Sequence, residues 1–336
     1  MQISSTDYGK FQSFYQGLSV KNHIFYMFFT SNLLHYAMES VSLVPAEVNL
    51  VIITAGLTGD EIECIHRFFR RPHLNFDTKY HDTCIWEMIR RATEGNFGWL
   101  DVDCFVYNPQ LFQEMMKISD HTALNTAWSR PYDYYGVDGL FANTYFLYVN
   151  ADILQKMTEK YKDLTFVPRV FRDVEGKPIY GNYKYLSEGE TEFLIEKYPN
   201  AINNPKGYDT THHYQIMLMV EGYEVKRIRE LNQLAVYYSK ELFHLGGCYR
   251  IHEVLLDKGL RRVYFRFNMR YSFYLLQKYI KQLPKQYLEF QKKFAENMER
   301  NKLSTDMEEV LDAVMKYSER SGINNSHMGV NTYDGL

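Results

Sequence analysis

The sequence has few cysteines, no long apolar run and no strong excess of charge of either sign. Its four cysteines are Cys64, Cys84, Cys104 and Cys248, and no two of them form a CxxC pair. This spacing argues against a zinc knuckle or a disulfide framework and favours reduced thiols in a reducing compartment. The formal net charge of −3 gives no whole-chain signal for binding to nucleic acid or to membranes.

The first ten residues lack the basic and then apolar pattern of a secretory signal, and no run of the sequence reaches the length needed to span a bilayer. We therefore expect a cytoplasmic protein that is soluble or bound peripherally to a membrane. With 336 residues, of which 46% are hydrophobic and 24% charged, the chain can bury a full core.

Apolar runs alternate with helical patterns along most of the sequence. This alternation predicts an α/β fold with a mostly parallel central sheet flanked by helices. The predicted strands cover 24–29, 49–55, 99–106, 122–128, 141–149 and 223–228. The predicted helices cover 32–44, 60–69, 82–93, 152–161, 191–197 and 212–221.

The C-terminal part of the chain differs from the rest in composition. Residues 258–293 contain ten Lys or Arg and a single acid, Glu289, among many Tyr and Phe. Such a basic aromatic segment fits a peripheral membrane contact or an anionic acceptor surface, and it equally fits an amphipathic helix with solvated charges. We predict a catalytic domain over 1–255, a basic aromatic helical appendage over 256–323 and a disordered tail over 324–336.

Two carboxylates interrupt an apolar run, GWLDVDCFV, over residues 98–106. Burying a carboxylate is costly unless it is paired or bound to a metal, so Asp101 and Asp103 at a strand end indicate a cation site. The two-residue period of a strand places both side chains on one side. Mg²⁺ or Mn²⁺ held by two carboxylates keeps positions open for substrate phosphates, which indicates a phosphorylated donor.

The order of elements, the DVD sequence, NTYF over 143–146 and FHLGG over 243–247 together resemble the nucleotide-sugar-dependent glycosyltransferases of the GT-A fold, DxD type. The resemblance covers residues 24–250. It implies that Asp101 and Asp103 hold Mn²⁺ or Mg²⁺ against the donor diphosphate. Some family members add a late histidine to the same metal, which implies this role for His244.

Donor-binding residues are expected where an open α/β sheet receives its nucleotide. Thr30 ends the first predicted strand, and Ala55 with Gly56 ends the second. Arg90 and Arg91, on the helix before the DVD segment, could bind the diphosphate, although a solvated surface arginine is the alternative for at least one of the two.

The catalytic base has two candidates, Asp209 and Glu190. Inverting relatives place a carboxylate before a helix that ends in Gly-Tyr, and Asp209 is the nearest match ahead of Gly222. The usual Glu-Asp pair is absent there, so Glu190 and its neighbours Glu188 and Glu192 compete for the role, and the stereochemistry of transfer stays open.

We predict a metal-dependent glycosyltransferase that moves a sugar, a hexose by preference, from a UDP- or GDP-sugar to a hydroxyl acceptor. The acceptor can be a saccharide, lipid, protein or nucleic acid. One alternative is a nucleotidyltransferase that makes NDP-sugars, but the Phe29–Asn32 segment lacks the Gly-rich loop and basic residue of that class. The other is a non-catalytic sugar- or lipid-binding scaffold that uses the basic segment.

Overall fold

The structure is a computed structural model. It describes residues 3–78, 80, 82–127, 142, 144–162, 164, 166, 192, 196, 210–229, 241–245 and 263–300, and for 263–270 and 293–300 it describes the backbone alone. The chain divides into two compact units. Unit 1 comprises Met1–Tyr26, Tyr80–Leu100 and Phe112–Leu231, and unit 2 comprises Met27–Lys79, Asp101–Leu111 and Asn232–Leu336.

Helices and strands alternate along the described chain. The helices are α1 (Ser5–Gly17), α2 (Leu34–Leu43), α3 (Gly59–Phe68), α4 (Asp82–Ala92), α5 (Gln110–Met116), α6 (Ala151–Lys160), α7 (His212–Val220), α8 (Val263–Lys278) and α9 (Lys285–Arg300). The strands are β1 (Ile24–Thr30), β2 (Leu50–Ala55), β3 (His73–Phe76), β4 (Phe97–Leu100), β5 (Cys104–Val106), β6 (Thr122–Thr126), β7 (Phe146–Val149), β8 (Glu224–Arg227) and β9 (Leu242–His244).

The strands of unit 1 follow the order β1-β4-β7-β6-β8. Strand β1 pairs in parallel with β4, and β6 pairs in parallel with β8. Strand β7 runs antiparallel to both of its neighbours, β4 and β6. A single reversed strand therefore separates two parallel pairs.

In unit 2 the order is β3-β2-β1, and β5 and β9 form a separate two-stranded sheet. Strands β2 and β3 are parallel, with Ile52 opposite His73. Strand β1 is common to both orders because its residues 24–26 lie in unit 1 and its residues 27–30 in unit 2. The predicted α/β class with a mostly parallel sheet is confirmed.

Close packing around β4 explains why a glycine stands in it. A Cβ atom on Gly98 would lie 2.3 Å from ring atoms of Phe25, a separation that real Cβ atoms essentially never show. On the next residue of β4, the Trp99 ring stacks on Trp86 of α4 with centroids 4.3 Å apart. The glycine thus allows β1 and β4 to pair beneath a bulky aromatic core.

A buried ion-pair network holds helix α4 in unit 1. The carboxylate of Glu87, which is 4% exposed, accepts hydrogen bonds from Arg90 Nη2 at 2.6 Å and Arg91 Nε at 2.8 Å. Arg90 Nη1 also donates to the Thr158 hydroxyl on α6 at 3.2 Å. Burial raises the pKa of Glu87, but the hydrogen bonds and charges of Arg90 and Arg91 outweigh burial, so the net pKa is lowered.

Helices α8 and α9 pack against α2 in unit 2 through buried polar groups. His35 of α2 is 1% exposed and bonded on both ring nitrogens. Its Nδ1 lies 2.5 Å from the Tyr287 hydroxyl and its Nε2 lies 2.7 Å from the Ser272 hydroxyl. One turn further along α2, the buried Glu39 carboxylate accepts hydrogen bonds from Lys278 Nζ at 2.5 Å and the Tyr279 hydroxyl at 2.6 Å.

Two sequence-based expectations about strands were wrong. The segment predicted as one strand over 99–106 is broken after Leu100, and its second half, β5, belongs to a different sheet. The strand predicted over 141–149 is shorter, since β7 begins at Phe146. The sequence reasoning also missed α1, β3, α5 and β9.

The predicted boundaries at residues 255 and 323 lie outside the described residues, so that domain division stays a prediction. Among the described helices, none combines the length and apolar character that crossing a bilayer requires. Location in the cytoplasm likewise stays a prediction.

Replacement of Glu87 by Gln should destabilise the protein by about 3 kcal/mol at pH 7, because it leaves the buried Arg90 charge without its carboxylate. The folded-state pKa of Glu87 is lowered, so its stabilisation is present above the ordinary value of 4.5 and is lost as pH falls below it. The gap in free energy of unfolding between wild type and variant should therefore shrink on acidification, as urea titrations at several pH values would measure. The exposed Glu63→Gln is the control, and an equal effect of both variants would contradict this assignment.

Candidate metal centre

Asp101 and Asp103 lie in a turn rather than within a strand. Strand β4 ends at Leu100 and β5 begins at Cys104. The Cys104 backbone N–H donates to the Asp101 carbonyl at 3.0 Å, which closes the turn. The period-two argument for placing both carboxylates on one side is therefore wrong, and the turn brings them together instead.

Strand pairing brings His244 to this turn. Strands β5 and β9 are antiparallel, with Cys104 opposite His244. The ladder continues one residue into the turn, since the Leu245 N–H donates to the Asp103 carbonyl at 2.9 Å. His244 is 140 positions from Cys104 in sequence, and the backbone hydrogen bonds between β5 and β9 thus place it beside this turn.

The three side chains converge on one point. His244 Nε2 lies 3.5 Å from Asp103 Oδ1 and 3.8 Å from Asp101 Oδ2. One ligand atom from each residue lies within 4.8 Å of the other two. The Asp103 and His244 side chains are 7% and 12% exposed, whereas that of Asp101 is 32% exposed. The group therefore has a buried side and an open side.

The buried side is held by α2 and α8. The Ser40 hydroxyl of α2 donates to the Cys104 carbonyl at 2.9 Å. Behind the strand pair, the Tyr271 ring of α8 lies 5.0 Å from Phe105 and 5.2 Å from Phe243, measured between centroids. These contacts fix β5 and β9 to the helices of unit 2 and leave the two carboxylates little freedom to separate.

Burial and the two carboxylates also affect the thiol beside them. Burial, followed by the charges of Asp101 and Asp103, raises the pKa of Cys104 well above its usual value. The thiol therefore stays protonated and packs as a small apolar group. The described cysteines, Cys64, Cys84 and Cys104, are all buried.

The chemistry of the donor set fits a divalent cation. Two carboxylate oxygens and one imidazole nitrogen suit Mn²⁺, which accepts both hard oxygen donors and nitrogen, better than Mg²⁺, which prefers oxygen alone. Two adjacent ligands of an octahedral ion with bonds of about 2.1 Å lie about 3 Å apart, which is less than the 3.5 and 3.8 Å from His244 to the two carboxylates. Three protein ligands leave half of such a coordination shell to other groups.

The residues predicted to bind the nucleotide lie at strand ends of the same unit. Thr30 is the last residue of β1 and is partly exposed, and Ala55 is the fully buried last residue of β2. Gly56 has a φ of 67°, a left-handed conformation that glycine adopts without strain. Its N–H donates to the Phe76 carbonyl at 2.8 Å, so this amide is already engaged.

Arg90 occupies a different setting from the one that the sequence suggested. Its side chain is 8% exposed, forms the ion pair with Glu87 and lies in unit 1, whereas the Asp101–Asp103–His244 group lies in unit 2. The alternative, a solvated surface arginine for at least one of Arg90 and Arg91, fits Arg91, whose side chain is 52% exposed, and does not fit Arg90. Diphosphate binding by Arg90 stays a prediction, and its observed contacts are structural.

Both candidate bases, Glu190 and Asp209, lie outside the described residues, as do Gly246 and Gly247 of the FHLGG segment. His212 and His213 begin helix α7 and are buried. This agrees with their interpretation as helix-start residues. Within the described chain, the Asp101–Asp103–His244 group is the one set of three potential metal ligands.

The sequence reasoning missed the supporting residues Ser40 and Tyr271. A signal for Ser40 was present in the sequence of α2. Its polar residues His35, Glu39 and Ser40 stand among mainly apolar residues. Buried polar groups need partners, which indicates that another element covers α2. Nothing in the local sequence of α8 identifies Tyr271 among the many aromatic residues there.

Known proteins share parts of this chain. A relative from Streptomyces griseus, dTDP-dihydrostreptose–streptidine-6-phosphate dihydrostreptosyltransferase, is 32% identical over 107 residues, which are 32% of this chain and 28% of the relative. The chain thus matches less than a third of the length of that relative.

Solved structures are similar at low identity. The glycosyltransferase GlyE of Streptococcus pneumoniae TIGR4 has a TM-score of 0.32 and 14% identity, over 54% of this chain and 44% of that protein. The glucosyl-3-phosphoglycerate synthase of Mycobacterium tuberculosis has a TM-score of 0.30 and 11% identity, over 65% of this chain and 85% of that protein.

A family model matches the N-terminal part of the chain, which contains β1 to β7 and both aspartates of the turn. The matched region is somewhat shorter than half of the chain. It confirms the predicted resemblance to glycosyltransferases: residues 2–154 match the StrH glycosyltransferase N-terminal domain.

Proposed function

We propose that this chain is a metal-dependent glycosyltransferase that transfers a sugar from a nucleoside-diphosphate sugar to a hydroxyl acceptor. The observation that carries the proposal is the convergence of Asp101, Asp103 and His244 within 4.8 Å. The family match over residues 2–154 supports the reaction class. A site with a buried and an open side suits a cation that must also bind a substrate.

Asp101, Asp103 and His244 would hold Mn²⁺ or, less favourably, Mg²⁺. A bound divalent cation supplies Lewis-acid stabilisation of the negative charge that develops on the leaving diphosphate, worth several kcal/mol. The protein's own contribution is to fix the ligands before substrate binds. Ser40 and the Phe105–Phe243–Tyr271 cluster do this by holding β5 and β9 in place.

For the donor nucleotide, we propose that Thr30 and the Ala55–Gly56 turn contact the base and ribose. The Thr30 hydroxyl can donate and accept hydrogen bonds. At Gly56, which has no side chain, a ribose can approach the backbone closely. UDP- and GDP-sugars are the donors that the sequence favours, and a dTDP-sugar is added because the Streptomyces griseus relative is named for one.

For the acceptor, the hydroxyl of a saccharide, lipid, protein or nucleic acid remains a candidate, and the name of the relative adds streptidine 6-phosphate. A carboxylate that accepts the proton of this hydroxyl would serve an inverting enzyme, and Asp209 and Glu190 stay the candidates for this role. A hexose stays the proposed sugar.

The appendage offers a second partner. Ile280 and Phe290 are large apolar residues that are 44% and 56% exposed, and Lys281, Lys285 and Lys292 are exposed nearby in sequence. Exposed apolar side chains among lysines suit the interface of an anionic membrane, where the rings and methyls insert and the amines contact headgroups. We propose peripheral contact with such a membrane through residues 258–293.

Manganese binding tests the candidate metal centre directly. Asp103→Asn should weaken Mn²⁺ binding at least about 100-fold, because it replaces a charged ligand with a neutral amide. Isothermal titration or the electron paramagnetic resonance signal of free Mn²⁺ would measure the affinity. The exposed Asp77→Asn, also in unit 2, should leave it unchanged. Equal affinity of wild type and Asp103→Asn would exclude this site.

Donor turnover tests the reaction class. UDP-, GDP- and dTDP-hexoses should release nucleoside diphosphate slowly in the presence of Mn²⁺, and Asp103→Asn should lower the rate at least about 100-fold, as expected for losing several kcal/mol of stabilisation. A nucleotidyltransferase would instead form pyrophosphate from a nucleoside triphosphate and a sugar 1-phosphate. Pyrophosphate formation without diphosphate release would contradict the proposal and support that alternative.

Sedimentation with liposomes tests the membrane contact. The protein should sediment with phosphatidylserine vesicles at low salt, and the double substitution Ile280→Ser, Phe290→Ser should reduce the bound fraction several-fold. Phe68→Ser, which changes another exposed aromatic residue outside the appendage, is the matched control. Binding that is unaffected by the double substitution would show that these residues do not carry the contact.

A further inference from the structure

Two further potential metal ligands, separate from the candidate metal centre, lie where α3 ends and β3 begins, in unit 2. His66 lies in the last turn of α3, and His73 is the first residue of β3. His66 Nε2 and His73 Nδ1 are 3.3 Å apart, and the ring centroids are 5.3 Å apart. The two nitrogens therefore face each other directly.

Neighbouring side chains determine where the proton of His73 lies. The Thr54 hydroxyl of β2 donates its single proton to Asn75 Oδ1 at 2.9 Å. His73 Nε2 lies 2.8 Å from the same hydroxyl oxygen, which can then only accept, so His73 Nε2 carries a proton. In the neutral ring, His73 Nδ1 is left with a lone pair that points at His66.

The surroundings of His73 disfavour its charged form. Burial, with a further contribution from His66, lowers the pKa of His73 to about 4. Two facing lone pairs repel each other unless a proton or a cation lies between them.

We infer that His66 and His73 form a two-imidazole site for a divalent transition metal ion of the Zn²⁺, Cu²⁺ or Ni²⁺ type. The observed 3.3 Å matches the separation of about 3.3 Å between two nitrogens bound at 2.0–2.1 Å to a tetrahedral ion. Imidazole donors favour these metals, whereas the oxygen-rich group at Asp101 favours Mn²⁺.

The surroundings of the pair have the features of a built ligand site. Thr54 and Asn75 fix the orientation and the tautomer of His73, as second partners commonly do for metal-binding histidines. His66 is exposed, so water or a further ligand can complete the coordination. A bound ion would join the end of α3 to the start of β3 and stabilise unit 2. This inference does not depend on the proposed function.

Zinc titration of the full chain tests the two-imidazole site. The titrated protein carries Asp103→Asn, because this substitution weakens the candidate metal centre. Calorimetry should detect one Zn²⁺ per chain, and the ion should raise the melting temperature. His66→Asn should weaken Zn²⁺ binding at least about 100-fold, and the exposed His121→Asn should not. Because His66 is exposed, its replacement should leave the fold intact, which circular dichroism would verify.

Two further measurements separate a metal site from a simple contact between rings. Thr54→Val keeps the side-chain shape, removes the partner of His73 Nε2, and should weaken Zn²⁺ binding about 10–100-fold. Pulsed electron paramagnetic resonance with Cu²⁺ should show two imidazole nitrogens in the Asp103→Asn protein and one after His66→Asn. An N–H···N hydrogen bond only, with Zn²⁺ affinity unchanged by His66→Asn, would overturn the inference.

Discussion

The antiparallel pairing of β5 with β9 is the constraint on which the candidate metal centre depends. Three residue pairs and one further hydrogen bond, from Leu245 to Asp103, join segments far apart in sequence. Without this pairing, Asp101 and Asp103 would be a polar turn with no histidine beside them. Because the pairing is made by the backbone, the spacing of the three side chains is insensitive to the identity of most residues around them. Its stability comes from the aromatic cluster that packs behind it.

The break after Leu100 places the two aspartates in a turn between two sheets. In a continuous strand, Asp101 and Asp103 would point to one face and their neighbours to the other. Both aspartates would then remain in the central sheet. The turn instead directs the chain from β4, in the large sheet, to β5, in the small one. The carboxylates occupy the change of direction, where one is nearly buried and the other partly open. A cation held there would have protein ligands on the buried side and coordination positions open to substrate on the other.

Local patterns of sequence were sufficient for the elements that have regular hydrophobic spacing. The predicted positions of β1, α2, β2, α3, α4 and α6 agree with the structure to within two residues at each end. The break after Leu100 could not be predicted, because Val102 and Cys104 continue the apolar alternation and no Gly or Pro marks a turn. His244 was found only through a family resemblance and the order of motifs, since its contact with Asp103 spans more than 100 residues. The network around Glu87 was missed because Arg90 and Arg91 on a helix are indistinguishable from solvated charges until their partner's burial is known.

The buried polar contacts of α2 also have a consequence for the biosynthesis of the chain. His35 and Tyr287 are 252 positions apart, and Glu39 and Tyr279 are 240 apart. Helix α2 emerges from the ribosome long before α8 and α9, so for most of translation His35 and Glu39 lack the groups that satisfy them in the folded protein. Such long-range contacts are formed late and slow the folding of a domain. Unit 2 therefore completes its core only after α9 has been synthesised.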